Sequence, residues 1–572
     1  MIVDAYTAID DVRACEVRSA DSHLAATTGG LVRVIGGKVD HVWTVLDGLP
    51  DTKTNALLVE GEAGSDIWIG TDRGLARAKL TGDALTIVRT FPGAAVRAIA
   101  RAGGTLYVGT WGEGVQKLAT AVATTLTKVP FAVAKGPAAR TRVTSLAVLG
   151  AELVAGTGAG VLRLHDGVLV AMPLAPLDDL ATVFALGVRE GRLYVGGISG
   201  VVSVGKEGAA RSEGKSDVRA FAAVGDELWG AAYGEGALRI GKGAPTVEAG
   251  LPPGAKWAQA IGARGETRCL GTAAGLFVKE GKLPWKKLTT GGLPSNDVNA
   301  IVRDGDRIWA GTYDRGLAVL ASGTWKTVEG DALDDRINAL AVNKKGVWVG
   351  TTRGLVRIEG AAQTVFGVAG GLPSSDVHAL APLSSGGMLV GTTKGAAIVD
   401  GSTVTPLAKK QGLVIDTAWA VAEGPKGMLL VGASTGLYVR ATKDAKWKRL
   451  SVMSGHLPDD WVTALAVRGT DVFVGTYSGG VSHLSFSGAT ADEPIASQLG
   501  GGYVNLAGLT ISGDSLYAAT MNGLLSRPLA ATGEGGAWKK LAQSALGVDV
   551  TGVVAGPDGL WVASRRGLVH TK

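Results

Sequence analysis

The sequence predicts an all-β protein built from fourteen β-propeller blades, and three observations support this fold class. A phrase of apolar residues ending in Gly-Thr and a turn recurs about every 41 residues. Glycine is abundant, with 87 residues in a chain of 572. No long stretch of the sequence places apolar residues at helical spacing. Together these features indicate many short strands joined by tight turns.

The repeat is clearest in "DIWIGTDRGLARA" from Asp66, "RIWAGTYDRGLAVL" from Arg307, "GVWVGTTRGLVRI" from Gly346 and "DVFVGTYSGGVSHL" from Asp471. The glycine after the Gly-Thr pair, or after its degenerate form, marks fourteen repeats: Gly30, Gly74, Gly114, Gly160, Gly200, Gly236, Gly275, Gly316, Gly354, Gly395, Gly436, Gly480, Gly523 and Gly567. This period suits a four-stranded blade. We expect two seven-bladed propellers in tandem. One large ring is the alternative, although its wide axis would be hard to fill.

Each repeat reads as an antiparallel meander of four strands, which we name A to D with strand A innermost. The unit at residues 291–328 shows the order: "VNAIV", "RIWAGT", "GLAVL" and "TWKTV". A small residue, most often alanine, recurs at one register of strand A. Sheets converge at a propeller axis and leave no room for bulk there.

The predicted domains are residues 1–281 and 282–572. The last repeat stops after strand C, at "GLVHTK", and an extra strand, "IVDAYTA" at residues 2–8, precedes the first repeat. In the simplest arrangement, residues 2–8 pair with residues 275–278 and close the first propeller. Residues 284–290 then pair with the last strand and close the second. Such closure removes exposed sheet edges.

Charge and cysteine content narrow the function. The formal charge is +6, but 57 basic residues against 51 acidic ones is a small excess, and the sequence has no basic run with interleaved aromatics. We therefore do not expect nucleic-acid binding. Two cysteines, Cys15 and Cys269, exclude a disulfide-rich scaffold, and we expect both to be small buried apolar residues.

The sequence shows no run of 18 apolar residues, so we expect no membrane insertion. The absence of an export signal in the sequence as given favours the cytoplasm by a small margin. The seven histidines have no metal-ligand spacing, and we expect no metal or cofactor. Acidic pairs at Asp334 and Asp335, and at Asp459 and Asp460, could serve hydrolysis, but aspartates in such loops more often cap their own turns.

Two sets of residues are candidates for binding. In a meander, the B–C and D–A loops emerge on one face, which we call the loop face. The candidate interaction residues on it are Trp111, Tyr233, Tyr313, Tyr477, Arg73 and Arg315. Aromatic residues beside arginine are typical of interface anchors, although they could equally cover neighbouring blades.

The second set occupies the register just before the small residue of strand A, which we call the axial position. Its members are Arg13, Asn55, Arg97, Thr144, Phe184, Arg219 and Gln259, then Asn299, Asn338, His378, Trp419, Thr463, Asn505 and Thr551. Arg13, Arg97 and Arg219 would suit a carboxylate or phosphate in the first channel. Asn299, Asn338, His378 and Trp419 would suit a sugar-like or neutral polar ligand in the second. Alternatively, these side chains hydrate a water-filled axis.

The segment "GLPSNDVNAIVRDGDRIWAGTYDRGLAVL" at residues 292–320 resembles the two-component regulator propeller repeat, with its pattern GL-x-x-x-x-V-x-A-I followed by G-x-W-x-GT-x-x-GL. In that family, fourteen repeats commonly form paired seven-bladed propellers that sense ligands outside the inner membrane in bacterial hybrid sensor proteins. The resemblance therefore implies a periplasmic or extracellular location. The sequence as given has no immunoglobulin-like module, transmembrane helix or kinase, so we expect a stand-alone binding relative.

Three functions follow from these observations. The first is a non-enzymatic scaffold that binds a protein partner through its loop-rich faces. The alternative is a sensor that binds a small anionic or sugar-like ligand, or a glycan, in one propeller channel. A propeller lyase or hydrolase is the weaker alternative, because no catalytic set can be assembled from these residues.

Overall fold

The computed structural model describes residues 3–61, 65–81, 84–119, 123–132, 138–174, 182–205, 208, 210–241, 245–288, 292–407, 412–487, 493–530, 535–541 and 546–571. It contains fourteen four-stranded antiparallel sheets, each with strands in the spatial order A-B-C-D. They form two compact units, which we call ring 1 (Ile9–Thr290) and ring 2 (Met1–Ala8 with Gly291–Lys572). In each ring, strand A of the first blade packs against strand A of the last. The predicted fold of two seven-bladed propellers is confirmed.

Ring 1 contains blades 1 to 7. Their strands A to D are Val12–Val17, Ser22–Thr27, Gly30–Ile35 and Lys38–Trp43 in blade 1; Thr54–Glu60, Asp66–Thr71, Gly74–Thr81 and Ala84–Pro92 in blade 2; Val96–Ala102, Thr105–Thr110, Gly114–Leu118 and Thr127–Lys128 in blade 3; Val143–Leu149, Glu152–Thr157, Gly160–His165 and Val168–Met172 in blade 4; Val183–Arg189, Arg192–Gly197, Gly200–Val204 and Ala210–Gly214 in blade 5; Val218–Val224, Glu227–Ala232, Gly236–Ile240 and Thr246–Val247 in blade 6; and Ala258–Arg264, Thr267–Thr272, Gly275–Glu280 and Lys286–Lys287 in blade 7.

Ring 2 contains blades 8 to 14. Their strands A to D are Val298–Asp304, Arg307–Thr312, Leu317–Ala321 and Thr324–Thr327 in blade 8; Ile337–Asn343, Gly346–Thr351, Leu355–Glu359 and Ala362–Phe366 in blade 9; Val377–Pro382, Met388–Thr392, Gly395–Asp400 and Thr403–Pro406 in blade 10; Ala420–Glu423, Leu429–Ala433, Gly436–Arg440 and Lys448–Leu450 in blade 11; Val462–Arg468, Asp471–Thr476, Gly480–Ser485 and Ile495–Gly500 in blade 12; Leu509–Ser512, Ser515–Thr520, Gly523–Pro528 and Lys539–Lys540 in blade 13; and Val550–Gly556, Gly559–Ser564, Gly567–Thr571 and Val3–Tyr6 in blade 14.

Short 3-10 helices occur in the connections, at Val45–Asp47, Ala138–Thr141, Pro253–Lys256, Val368–Gly370 and Pro425–Gly427. None of the helices in the described ranges is long and apolar enough to cross a membrane.

The Gly-Thr pair of each repeat has two structural roles. The hydroxyl of the Thr, or of a Ser in its place, donates a hydrogen bond to the glycine carbonyl that ends the B–C turn. This bond occurs at Thr27, Thr71, Thr110, Thr157, Thr272, Thr312, Thr351, Thr392, Thr476, Thr520 and Ser564. The glycine of the pair faces the next blade: a Cβ at Gly70 would lie 2.6 Å from Val96 Cγ1. The pair thus fixes both the turn and the spacing of adjacent sheets.

Strand A carries a second regular feature, a bulge at the axial position. In twelve blades the A–B register shifts across this residue; Trp419 and Asn505 are the two axial residues without such a shift in the register. A bulge leaves one residue outside the ladder and re-aims its side chain.

Many axial side chains then donate a hydrogen bond to the next blade around the ring. The acceptor is a backbone carbonyl at or beside the start of the neighbouring strand A. Seven such bonds are present: Thr144 to Val183, Gln259 to Val12, Asn299 to Ile337, Asn338 to Val377, Thr463 to Val504, Asn505 to Val550 and Thr551 to Val298. We call this set the axial belt. It adds to the side-chain packing and to other polar bonds between neighbouring blades, such as those of Arg101 with Glu60 and of Ser384 with Glu423.

The predicted pairing of the closing strands was wrong. Strand Val3–Tyr6 pairs with Gly567–Thr571 and completes blade 14, so the N-terminus closes ring 2 and not ring 1. Blade 7 makes its own strand D, Lys286–Lys287, which pairs with Gly275–Glu280. A strand supplied locally in this way occupies the edge that residues 2–8 were expected to fill. Lys286 and Lys287, in the segment predicted to close ring 2, accordingly pair within blade 7, and the predicted boundary between 281 and 282 moves to Thr290–Gly291. Ile2, in the predicted strand, lies outside the described residues.

Ring 1 has no strand exchange among its described residues and is closed differently. Cys15 on strand A of blade 1 forms a disulfide with Cys269 on strand B of blade 7, across a sequence separation of 254. The bond lies in an apolar cluster that both blades share. Beside it, the Gln259 amide donates to Asp11 and to the Val12 carbonyl. The cysteines are buried as expected, but the prediction that they are unpaired was wrong.

The two closures predict selective effects on the two rings. Deleting residues 1–8 should destabilise ring 2 by at least about 3 kcal/mol, because removing a buried aromatic alone costs that much and Tyr6 stacks on Trp561 with its ring centroid 5.3 Å away. Hydrogen exchange should speed up in blades 8 and 14, with Ala5→Ser as a control at an exposed position of the same strand. Faster exchange at 275–280 instead would support closure of ring 1 by this strand.

Replacing Cys15 and Cys269 by serine should destabilise ring 1 alone. In chain-entropy terms the cross-link contributes up to about 5 kcal/mol for so long a loop. Calorimetry with and without reductant should show one transition moving down in the wild type, and no effect of reductant on the double variant. A wild-type profile that reductant leaves unchanged would contradict this closure.

Candidate functional site

Ring 2 contains a cavity of about 390 Å³ at the axial mouth of its loop face, which we call the axial cavity. Its lining combines axial residues with residues of the B–C and D–A loops: Asn299, Tyr313, Arg336, Asn338, His378, Trp419, Trp461, Thr463, Tyr477, Val504, Asn505, Leu506, Ala507, Met521, Asp549, Thr551 and Arg565. The two loop types meet because the first residue of a B–C turn donates its N–H to the backbone carbonyl of the residue that precedes strand A of the same blade. Tyr313 donates in this way to Asp297, Tyr477 to Trp461 and Arg565 to Asp549.

One side of the axial cavity is a continuous run of rings, which we call the aromatic wall. It extends from His378 to Trp419, Trp461 and Tyr477, with successive centroids 4.8, 5.9 and 4.4 Å apart. Tyr503, outside the cavity lining, lies against Tyr477 at 5.8 Å. Trp461 and Tyr477 are stacked at an interplanar angle of 21°. The rings contact one another, so no open cage exists between them, and the wall suits the flat apolar face of a ligand.

Trp461 adds a polar feature to this wall. Its indole N–H is buried and has no hydrogen-bond acceptor within the described part of the chain. A buried donor without a partner is costly. The indole N–H groups of Trp68, Trp285, Trp309, Trp325 and Trp447 share this state, and among these tryptophans Trp461 lines the axial cavity.

Polar side chains flank the aromatic wall in the axial cavity, and their hydrogen-bonding capacity is selective. The Asn338 amide donates to Asp376 (3.0 Å) and to the Val377 carbonyl (3.1 Å), and the Asn505 amide donates to Asp549 (2.9 Å) and to the Val550 carbonyl (2.7 Å). An amide nitrogen has only two hydrogens, so both donors of each side chain are used. What these two asparagines can offer a ligand is their amide oxygens, and these accept hydrogen bonds from hydroxyl groups.

Charged groups surround Tyr313 at the rim. The Arg336 guanidinium lies 4.3 Å from the ring centroid and that of Arg565 lies 5.8 Å away. Arg565 is ion-paired with Asp297 (2.6 Å) and Asp549 (3.3 Å). Burial lowers the pKa of His378 below its ordinary value, although Asp376 at 3.4 Å opposes this effect. His378 is therefore neutral near pH 7.

The structure brings most ring 2 candidates into one place. Asn299, Asn338, His378 and Trp419 line the axial cavity together with the predicted loop-face residues Tyr313 and Tyr477. Arg315 is exposed in the same B–C turn as Tyr313 but does not line it.

The remaining candidates lie in ring 1, where each axial arginine has an acidic partner. Arg13 pairs with Asp11 (3.1 Å), Arg97 with Asp72 (3.4 Å) and Arg219 with Asp217 (2.6 Å). These pairs offset the positive charge on which the predicted anion preference of this channel depends. Arg73 likewise pairs with Asp51, at 3.5 Å.

Trp111 and Tyr233 are exposed on the loop face of ring 1, at 48% and 47%. Each carries an arginine over its ring: Arg142 lies 5.5 Å from the Trp111 centroid, and Arg219 lies 5.1 Å from that of Tyr233.

The predicted acidic pairs act as turn caps. Asp459 accepts hydrogen bonds from the Trp461 and Ser478 backbone, and Asp460 accepts one from Val452. Burial acts to raise the pKa of Asp459, but these hydrogen bonds outweigh it, so the pKa lies below its ordinary value. Asp334 accepts from the Thr352 hydroxyl. A carboxylate held in its charged form is a poor general acid.

The carboxyl group with a strongly raised pKa is elsewhere. Burial raises the pKa of Glu16 to about 7, against the opposing effect of Arg18 and Arg264, but Glu16 lies on strand A of blade 1 and outside the axial cavity. Within the described ranges, no group of three or more His, Cys, Asp or Glu is placed to hold a metal ion.

Sequence reasoning missed Arg336, Trp461 and Asp549, and one signal could have found them. Each lies two residues before an axial position, at the end of a D–A loop. The same register in ring 1 holds Arg142 and Trp257. Reading this second register beside the axial one would have outlined the whole cavity mouth.

Known proteins were compared with this chain. The family profile described as two component regulator propeller matches residues 292–314, in blade 8. No curated protein matches. PorZ from Porphyromonas gingivalis, a bacterial surface component of the type-IX secretion system, is 16% identical, with 100% of this chain and 87% of that chain covered and a TM-score of 0.74. An ancestral GH74 enzyme is 12% identical, with 99% and 98% covered and a TM-score of 0.71.

The extracellular domain of a hybrid two-component system from B. thetaiotaomicron is 15% identical, with 100% of this chain and 82% of that chain covered, at a TM-score of 0.40. At these identities, PorZ and the GH74 enzyme share the fold and nothing more specific. The profile match falls on the segment that carries the predicted resemblance. Blade 8 of this chain is therefore similar to the two-component regulator propeller repeat.

Proposed function

We propose that this protein is a non-enzymatic binding protein whose ligand is a sugar-like molecule held in the axial cavity of ring 2. The observation that carries this proposal is that the aromatic wall and side chains that offer amide oxygens line the same cavity. The apolar face of a sugar ring can stack on the wall, while its hydroxyls donate to Asn338 and Asn505. This choice favours the channel over the protein scaffold that the sequence suggested first.

The unpartnered N–H of Trp461 supports the same ligand class. A sugar offers ring and hydroxyl oxygens that accept a hydrogen bond, and the donor lies beside the surface on which the sugar would stack. A purely apolar ligand would leave this donor unsatisfied and would not use the asparagine oxygens.

The absence of a catalytic role is also part of the proposal. The carboxylates described around the axial cavity are held by hydrogen bonds or ion pairs, as with Asp549 on Arg565 and Asn505. None of these interactions favours the protonated form that an acid catalyst of glycoside cleavage requires. Binding without turnover therefore fits the site better than hydrolysis.

We infer that the protein works outside the reducing cytoplasm, because disulfides persist in oxidising compartments. The bond between Cys15 and Cys269 supports this location over the cytoplasmic one that the sequence favoured by a small margin. Alkylation of thiols in freshly acidified source cells should leave both cysteines unlabelled. Full labelling before reduction would contradict an oxidising location.

A second candidate function is protein binding on the loop face of ring 1. Its basis is a set of exposed residues on blades 3, 5, 6 and 7: Trp111, Ile198, Tyr233 and Trp257. Exposed aromatics flanked by arginine are frequent anchors of protein interfaces. A pull-down from source-cell extract should lose a stoichiometric partner in the double variant Trp111→Ser/Tyr233→Ser and keep it in Trp461→Ala. Equal capture by both variants would exclude this surface.

The sugar proposal predicts that Trp461 is needed for binding. A saccharide array should identify a bound oligosaccharide, and titration calorimetry should show Kd at least about tenfold weaker in Trp461→Ala, the range expected for one lost stacking contact with its hydrogen bond. Trp461→Phe keeps an aromatic ring and removes the indole N–H, so it separates the contribution of stacking from that of the hydrogen bond.

Trp111→Ala is the matched control, since it removes an exposed tryptophan from ring 1 and should leave the affinity unchanged. Catalytic turnover of the bound saccharide would contradict the non-enzymatic assignment. Binding that survives both Trp461→Ala and Trp419→Ala would exclude the axial cavity as the site.

A further inference from the structure

We infer that the saccharide bound in ring 2 is anionic and that Arg336 binds its acid group. This inference rests on the proposed function and narrows its ligand class. It follows from three observations: the charged residues around the axial cavity, the position of the Arg336 guanidinium, and the hydrogen bonds that the other polar side chains already make within the protein.

The carboxylates around the axial cavity each have a donor within the protein. Asp549 binds Asn505 and Arg565, Asp297 binds Arg565, and Asp376 binds Asn338. Arg565 offsets the charge of Asp549, the one carboxylate among the described residues that line the axial cavity. Asp376 keeps its charge, because the Asn338 amide that binds it is neutral, but it does not line the cavity.

The two arginines that line the axial cavity differ in whether they are paired with a carboxylate. Arg565 is ion-paired with two aspartates, whereas the Arg336 guanidinium has no carboxylate within 4.0 Å among the described residues. Neutral His378 adds no second cation. Arg336 is therefore the unmatched charge among the described lining residues, and it is positive.

Packing orients this charge for recognition. The guanidinium lies over the Tyr313 ring with its central carbon 4.3 Å from the centroid, so one face is covered and the N–H edges remain available. Edge-on, a guanidinium presents parallel donors that match the two oxygens of a carboxylate or of a sulfate. The aromatic wall lies across the same cavity, where the ring that carries the acid group would stack.

The two lining features together require a ligand that donates hydroxyls and carries an acid group. A simple anion such as phosphate would not use the aromatic wall, and a neutral sugar would leave Arg336 unmatched. A uronic acid and a sulfated sugar both meet the requirement, and they share the chemistry that Arg336 would recognise.

The test compares an acidic oligosaccharide with its own neutral ester. Oligomers of galacturonate, glucuronate and mannuronate are titrated beside their methyl esters, which keep the sugar ring and remove the charge, and a sulfated galactan oligomer is titrated in parallel. We expect at least one acid to bind about tenfold or more tightly than its ester, and this ratio to fall as salt rises. In Arg336→Gln the ratio should drop to about one.

Two variants control for structure. Arg315→Gln removes an exposed arginine near Tyr313 that does not line the axial cavity, so the ratio should be kept. Arg336→Lys keeps the positive charge but removes the paired N–H donors of the guanidinium, so it should retain part of the preference for the acid over the ester. Because Arg336 is exposed, thermal unfolding of each variant should match the wild type.

Each outcome has a separate meaning. Equal affinity for acid and ester would overturn the inference about Arg336 while leaving the sugar site intact. An acid preference that survives Arg336→Gln would overturn the role of this residue. Tight binding of the sulfated oligomer alone would keep the anionic class and assign sulfate as the group. If none of these saccharides and none on the array bind, the proposed function itself fails.

Discussion

The axial belt is the interaction on which the rest of this structure depends. A propeller blade has no backbone ladder to its neighbour, so adjacent sheets are held by side-chain packing and by whatever polar bonds can cross the gap. Here one axial side chain in each of seven blades donates to a backbone carbonyl of the next, and in six of the seven a bulge on strand A lies at the donor. The hydrogen bonds of the axial belt therefore use N–H and O–H donors that would otherwise be available to a ligand.

This constraint also shapes the site. With the amide hydrogens of Asn338 and Asn505 engaged, the polar side of the axial cavity presents oxygens of these residues, and its selectivity for hydroxyl donors is a by-product of holding the ring together. Binding and stability are consequently difficult to separate at axial positions. They separate more easily at Trp461 and Arg336, which lie two residues earlier and take no part in the belt.

Much of the fold could be predicted because the repeat is local. Each Gly-Thr pair marks a B–C turn and a contact with the next blade, and it recurs about every 40 residues. Strand order, blade number and the loop face therefore follow from short segments such as 307–320. The axial register selected Asn299, Asn338, His378 and Trp419, and all four line the axial cavity of ring 2. The polarity of these side chains did not reveal which atoms would remain free, since that depends on bonds to the neighbouring blade.

Closure could not be predicted for the same reason. Pairing of Val3–Tyr6 with Gly567–Thr571, and of Cys15 with Cys269, joins segments hundreds of residues apart that share no local pattern. One local signal was available: "PWKKL" at 284–288 matches "TWKTV" at 324–328 and "KWKRL" at 446–450. Both Trp285 and Trp325 are buried in the ring cores. Recognising this strand D in blade 7 would have left residues 2–8 to the last blade.

The N-terminal strand has a consequence for synthesis on the ribosome. Ring 1 is an insertion between the first strand of ring 2 and all its other strands, so its seven blades are complete once residue 287 has emerged. Strand Val3–Tyr6 is made first, yet its partner Gly567–Thr571 is made more than 500 residues later. Throughout that interval an unpaired β-edge is exposed beside an already folded domain, which is the condition under which nascent chains associate wrongly. Until residues 567–571 have been made, strand Val3–Tyr6 therefore lacks the partner that it has in the finished fold.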